Sequence, residues 1–289
     1  MKFGGEQMEY NLRAIYQPWA SRQTTKGILL VDDLDLCRAF DLVFLVVTDS
    51  DFKKQITNTY FYEENRILLY VIPDSQLREW VLAGTNKIII EWFLYGKVIF
   101  DRNDFLHQFI QELKDFPFYE RKVKLGIEFA RLICNYKDGK ALYQKQQYLD
   151  AYTYLLQSLQ HLGKIAVIEK GLLPKTGVWK QVKRIEPEIC KMYDEIINND
   201  EQLSKRLELI ILALEFFIHK KIELCTTHLL DVLKTKDQWT LQEIVMLSEF
   251  RHYSYEIVPL IEFLVEKNYI SVVLDGDNMI ERRYSVKNK

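Results

Sequence analysis

The chain has 289 residues, 48% hydrophobic and 28% charged, with 39 Lys and Arg against 41 Asp and Glu. That balance excludes a disordered or fibrous chain, and a net charge of −2 excludes a global attraction to nucleic acid or acidic membranes. The length exceeds one comfortable core, so two or three domains are expected.

The opening residues MKFGGEQMEYNL lack a signal-peptide core, and no apolar run is long enough to cross a bilayer. The four cysteines, Cys37, Cys134, Cys190 and Cys225, are far apart and form no CxxC pair, as expected of reduced, buried thiols in the cytoplasm. Cys225 and His228 could share a helix face, with His219 nearby, but core packing explains them better than a zinc site does.

Strand and helix signals alternate in the first hundred residues. Gly27 to Val31 reads as a short strand, followed by a turn at Asp32, Asp33 and Asp35. Phe40 to Val47 is apolar apart from Asp41, the pattern of a strand buried on both faces. Arg66 to Ile72 is a third strand, stopped by Pro73, and Asp74 or Ser75 can cap a helix through Trp80. Asn86 to Tyr95 reads as a helix closed at Gly96, and Lys97 to Phe100 as the next strand.

From Asn103 the pattern becomes helical. Asn103 and Asp104 are cap candidates for a helix carrying Phe105, Leu106, Phe109, Ile110 and Leu113. Arg121 to Tyr136 predicts a second helix ending near Gly139, Tyr148 to Lys170 a third closed by Gly171, Pro187 a short fourth, and Glu201 to Leu224 the longest. Cys225 to Leu233 is again helical. Thr240 and Glu243 have capping-box spacing, and a further helix reaches about Lys267 with Pro259 in its first turn. Ile270 to Leu274 and Met279 to Val286 flank Asp275-Gly276-Asp277-Asn278, a hairpin signal. Helices followed by a β-hairpin predict a winged helix-turn-helix.

The segments FDLVFLVV, REWVLAGTN, GKVIFDRN, FPFYERK, YLDAYTYLLQSLQHLGKIAVIEKG and WKQVKRIEPE together resemble a family of bacterial nucleotidyltransferase-like proteins over nearly the whole chain. The fold class this implies is α+β. A nucleotidyltransferase-like mixed α/β domain related to the kanamycin-modifying enzymes spans 1–102, a helical substrate-binding-like bundle 103–224, and a winged helix 225–289. Nucleotidyl transfer needs hard divalent ions such as Mg²⁺ held by carboxylates, usually two acids alternating along one strand. In the resembled enzymes a Gly-Ser turn precedes an Asp-x-Asp strand. Here Val31-Asp32 replaces the turn, Val43 stands where the second acid belongs, and Arg66 to Ile72 carries no third acid.

Asp41 is therefore the remnant metal and catalytic candidate, with a structural role at the strand end as the plainer reading. Glu91, an acid in an apolar stretch, could serve proton transfer or simply face a cleft or a salt bridge. Asp32, with its neighbours, could supply replacement acid or be a solvated turn. If the family's arrangement holds, Glu128, Arg131, Lys140, His161 and Lys164 face the first domain and could meet a nucleotide or other small molecule; as single residues they read as helix surface or packing. In the tail, Arg251, Arg282 and Arg283 are the basic cluster available to nucleic acid or a protein partner. From Trp239 onward six basic side chains face eight acidic ones, which makes DNA a poor partner and a protein-contact or packing role the better one. Three functions follow in order of preference: a non-catalytic binding or regulatory protein, an active transferase of NMP from NTP to a hydroxyl, and a DNA-binding regulator.

Overall fold

The architecture was obtained as a computed structural model that describes residues 5–37, 39–52, 55–62, 64–83, 85–115, 118–198, 200–275 and 281–287. The chain divides into two units, Met1–Phe116 and Pro117–Lys289.

The first unit runs α1 (Gly5–Ala20), β1 (Thr25–Val31), α2 (Leu34–Cys37), β2 (Leu42–Thr48), β3 (Ile56–Tyr62), β4 (Asn65–Pro73), α3 (Asp74–Ala83), α4 (Lys87–Tyr95), β5 (Lys97–Asp101) and α5 (Phe105–Asp115). The sheet order is β3-β4-β2-β1-β5, with β2 and β4 parallel and the other neighbours antiparallel. Every residue of β2 is buried, as its unbroken apolar run requires of a central strand. Side chains alternate across a strand, so Leu42, Phe44 and Val46 point to one face, where they join Ile67, Leu69 and Val71 of β4. Leu12, Tyr16 and Trp19 of α1 cover that face.

Asp101, rather than Asn103 or Asp104, caps α5. Its carboxylate accepts from the backbone N–H of Leu106 (2.9 Å) and of His107 (3.1 Å). Asn103 and Asp104 both have φ of 55°, so they form the left-handed turn that brings Asp101 over the helix end.

The second unit runs α6 (Phe118–Gln144), α7 (Tyr148–Glu169), α8 (Val178–Ile185), α9 (Pro187–Ile197), α10 (Leu203–Leu233), β6 (Trp239–Thr240), α11 (Leu241–Met246), a 3-10 segment (Ser248–Glu256), α12 (Ile257–Glu266), β7 (Ile270–Asp275) and β8 (Glu281–Val286). Helix α6 does not stop near Gly139 but continues to Gln144. Gly139 is there for packing: a Cβ would lie 2.8 Å from Leu155 Cγ on α7, so the missing side chain lets the two helices close on each other. Helix α10 passes without a break through Leu224 and Cys225, about 46 Å at 1.5 Å per residue. Gly171, at φ +75°, follows α7 where a left-handed stop is needed.

The C-terminal part has the helix-turn-helix pattern with a three-stranded wing, β6-β8-β7. The Thr240 hydroxyl and the Glu243 carboxylate form the reciprocal capping box at the start of α11. Pro259 lies in the first turn of α12, where its missing N–H is harmless. The hairpin turn expected at Asp275 to Asn278 falls largely outside the described residues.

Candidate functional site

Asp41 stands just before β2, beside the start of β4. Its Oδ2 accepts from the Arg66 backbone N–H (2.8 Å) and from Arg66 Nε (3.2 Å). These two bonds, backbone first, hold its carboxyl below the usual carboxylate range. Arg66 opens the segment in which a third metal-binding acid was expected, and its guanidinium pairs with Asp41. Cys37 lies close by, buried and bonded through Sγ to the Val31 carbonyl (3.3 Å). Burial pushes its thiol up to about 11, helped by the negative charges of Asp32, Asp33 and Asp41. Asp32 and Asp33 are exposed, and Glu91 is half-buried on α4.

Among the described residues, one group of three metal-type side chains converges within 4.8 Å: Asp101, Asp104 and His107. Asp101 is already engaged as the α5 cap, and its Oδ2 also meets His107 Nδ1 at 2.5 Å. The group is accounted for by helix capping.

In the second unit, four of the sequence candidates come together. Glu128 is 1% exposed. Its Oε2 meets His161 Nδ1 at 2.6 Å and Lys164 Nζ at 3.0 Å, and its Oε1 meets Arg131 at 3.4 Å. Arg131 also reaches Glu256 at 3.9 Å. Local sequence explains half of this: Glu128 and Arg131 are three apart on α6, and His161 and Lys164 three apart on α7, so each pair shares a helix face. Packing of α6 on α7 supplies the rest.

Burial raises the Glu128 carboxyl, but the His161 hydrogen bond and the charges of Lys164, His161 and Arg131 outweigh it and hold the group at about 2. Burial also lowers His161; Glu128 pulls it up, while Lys164 and Arg131 push it down. The imidazole is thus neutral near pH 7, and with Glu128 as acceptor its proton belongs on Nδ1. That tautomer leaves Nε2 as an acceptor or base, with a lysine amine beside the ring.

Lys140 does not join this group. Its amine pairs with Glu215 (2.6 Å) and bonds Tyr136 Oη (3.2 Å). Glu256 and Glu215 were not among the sequence candidates. Both lie far along the chain from their partners, and no local spacing could have connected them.

The tail arginines are separately engaged. Arg282 pairs with Glu262 (3.0 Å), Arg251 bonds His252 (2.9 Å), and Arg283 is half-buried on β8. From Ile257 to Val265 no residue of α12 is exposed. Phe263 packs edge-on against Phe129 of α6, their ring centroids 6.5 Å apart, and Tyr253 reaches α6 at Gly126. No helix among the described residues is long and apolar enough to cross a membrane.

Comparison with known proteins gives the same three-part order. Residues 8–121 match a nucleotidyltransferase-like family, 122–221 a YgxA-like substrate binding domain, and 227–286 a helix-turn-helix domain. The uncharacterized protein YgxA of Bacillus subtilis (strain 168) is 38% identical over 287 residues, covering 97% of this chain and 98% of that protein. The crystal structure of a nucleotidyltransferase-like protein from Exiguobacterium sibiricum 255-15 superposes with a TM-score of 0.85 at 28% identity, covering 96% of this chain and 99% of that one.

Proposed function

The chain belongs to the nucleotidyltransferase-like family that includes Bacillus subtilis YgxA, and from that premise we propose that it is a non-catalytic binding protein. The observation that carries this reading is the pairing of Asp41 with Arg66. A pair of divalent ions needs several free carboxylate oxygens, whereas here one acid stands at the strand end with an oxygen already occupied by a guanidinium. The residues present do not fit the metal pair.

The binding reading is supported by the convergence of Glu128, Arg131, His161 and Lys164. A neutral imidazole and two cations around one buried carboxylate form a preorganised polar group suited to a small molecule with acidic and hydroxyl functions. The winged helix serves as a packing module. A DNA-reading helix must offer basic side chains to a groove, whereas α12 carries no Lys or Arg and its half-buried and exposed charges are Glu262 and Glu266.

Thermal melting of the full chain with each NTP and Mg²⁺ or Mn²⁺ tests the first part. No metal-dependent rise is expected, in the native protein or in Asp41→Ala. A rise that Asp41→Ala abolishes would instead establish an active transferase, because a ligand of the native state must stabilise it by mass action. One observation favours that second reading: Asp32, Asp33 and Asp41 all act on the Cys37 thiol, so three acids share one neighbourhood.

The tail is tested with duplex DNA. Retardation is expected to be absent at physiological salt. A complex that weakens steeply with added salt, and weakens further in Arg251→Ala or Arg283→Ala, would make the domain a DNA reader.

A further inference from the structure

A cavity of about 710 Å³ opens in the second unit between the C-terminal half of α6, the middle of α10 and the end of α12. This volume lies in the range that encloses small-molecule ligands. It is lined by none of Glu128, Arg131, His161 or Lys164. We infer that it is a binding site for a small organic anion, a phosphate or carboxylate carried on a flat apolar body.

The charges in the cavity sort into two kinds. Lys140 is paired with Glu215 (2.6 Å), and Lys137 with Glu266 (2.6 Å). Those pairs neutralise themselves. Lys267 and His219 also line the cavity, are exposed, and have no ion pair or side-chain hydrogen bond among the described residues. The Lys267 amine stands 5.7 Å from the centroid of the Phe263 ring, and the Lys137 amine 5.9 Å from the same ring. Lys267, which also acts on the Glu215 carboxylate, therefore gives the cavity one positive charge beyond its two ion pairs, and the His219 ring adds a polar group, the arrangement an anion needs.

The cavity also has an apolar side. Its open apolar surface comes from the exposed Ala141 of α6 and the half-buried Tyr269, which lie over the buried Ile218, Ile222 and Phe263. An inorganic anion would leave that surface uncovered, whereas a flat apolar body would cover it. The end of α12 does not oppose an anion as a bare helix C-terminus would. Asn268, at φ 63°, closes it, with the Tyr269 N–H on the Leu264 carbonyl (2.9 Å) and the Asn268 N–H on the Val265 carbonyl (3.0 Å). Because α6 and α10 form one wall and α12 another, the ligand bridges the helical bundle and the winged helix.

Calorimetric titration of the full chain with phenyl phosphate, benzoate and inorganic phosphate tests the site. Phenyl phosphate or benzoate is expected to bind saturably, and the tighter of the two identifies the head group. Inorganic phosphate is expected to bind about tenfold more weakly or worse, because it covers no apolar surface. The double variant Lys267→Gln, His219→Gln changes two exposed side chains, so its fold should survive, as circular dichroism would verify. It is expected to weaken binding about tenfold or more by removing the charged Lys267 donor together with the His219 ring. No saturable binding of either organic anion would overturn the inference. So would binding that the double variant leaves unchanged but Lys164→Gln abolishes, which would belong to the Glu128 group.

Discussion

Replacing Glu128 with alanine is expected to destabilise the protein by about 3–5 kcal/mol, the cost of leaving buried charges without their partner. In urea unfolding this would appear as a lower midpoint, and in melting as a fall of roughly 2–4 °C per kcal/mol for a unit of this size. The reason is the number of groups that depend on one carboxylate. Without it, Arg131 and Lys164 face each other as like charges, and the His161 Nδ1 proton loses its acceptor. Glu128→Gln keeps the shape and one acceptor oxygen, so it should fall between alanine and the native protein. A loss below about 1 kcal/mol in the alanine variant would mean that the group behaves like solvated surface pairs, and would remove the proposed preorganisation.

The same group sets an expected response to acid. Glu128 is held at about 2 in the fold against an ordinary 4.5, so between those values the unfolded chain binds a proton that the folded chain does not. Stability must therefore fall as pH falls through that window. His161 is also lowered from 6.5, which has the same sign and begins the loss earlier. Unfolding free energy should decline below about pH 6.5 and more steeply below 4.5. Glu128→Gln should flatten the lower part of that profile.

How much of this was legible depended on whether the signal was local. The central strands could be read because β2 and β4 are buried on both sides and their apolar runs are unbroken. The edge strand β3 could not: Ile56–Tyr62 is mostly exposed, so ITNTYFY has no core pattern. Helix α1 carries Leu12, Tyr16 and Trp19 at helical spacing, but Pro18 near its end obscures the reading. A proline in the last turn removes a hydrogen bond without disturbing the helix before it. Of the candidate residues, Glu128, Arg131, His161 and Lys164 came from two helix faces and proved to meet. Lys140 lies about two and a half turns beyond Arg131 on α6, at the cavity instead. The continuity of α10 through residue 224 was hidden because a change of sequence character was read as a change of element.

The glycines of α6 carry a similar lesson, and one of them supports a strong prediction. In a helix interior, Gly126→Ala would ordinarily stabilise by about 1 kcal/mol through propensity alone. Here a Cβ at residue 126 would overlap Tyr253 Oη, at a side chain that is 1% exposed and bonded through its hydroxyl to His228 Nδ1 (3.1 Å). Overpacking at such a contact should outweigh the propensity gain, for a net loss of about 1–3 kcal/mol. Gly126→Val, with a larger side chain at the same point, should lose more. Tyr253→Phe removes the overlapping oxygen but leaves the His228 ring nitrogen without that partner, so alone it should also destabilise. Combined with Gly126→Ala it should recover part of the loss, because the two changes act on one contact. Simple additivity in that cycle would mean that Tyr253 moves aside when residue 126 grows. The 3-10 segment would then be loosely held against α6, and α12 would no longer have the fixed support that keeps it covered. A positive coupling would instead make this contact the lock that fixes the winged-helix module on the bundle.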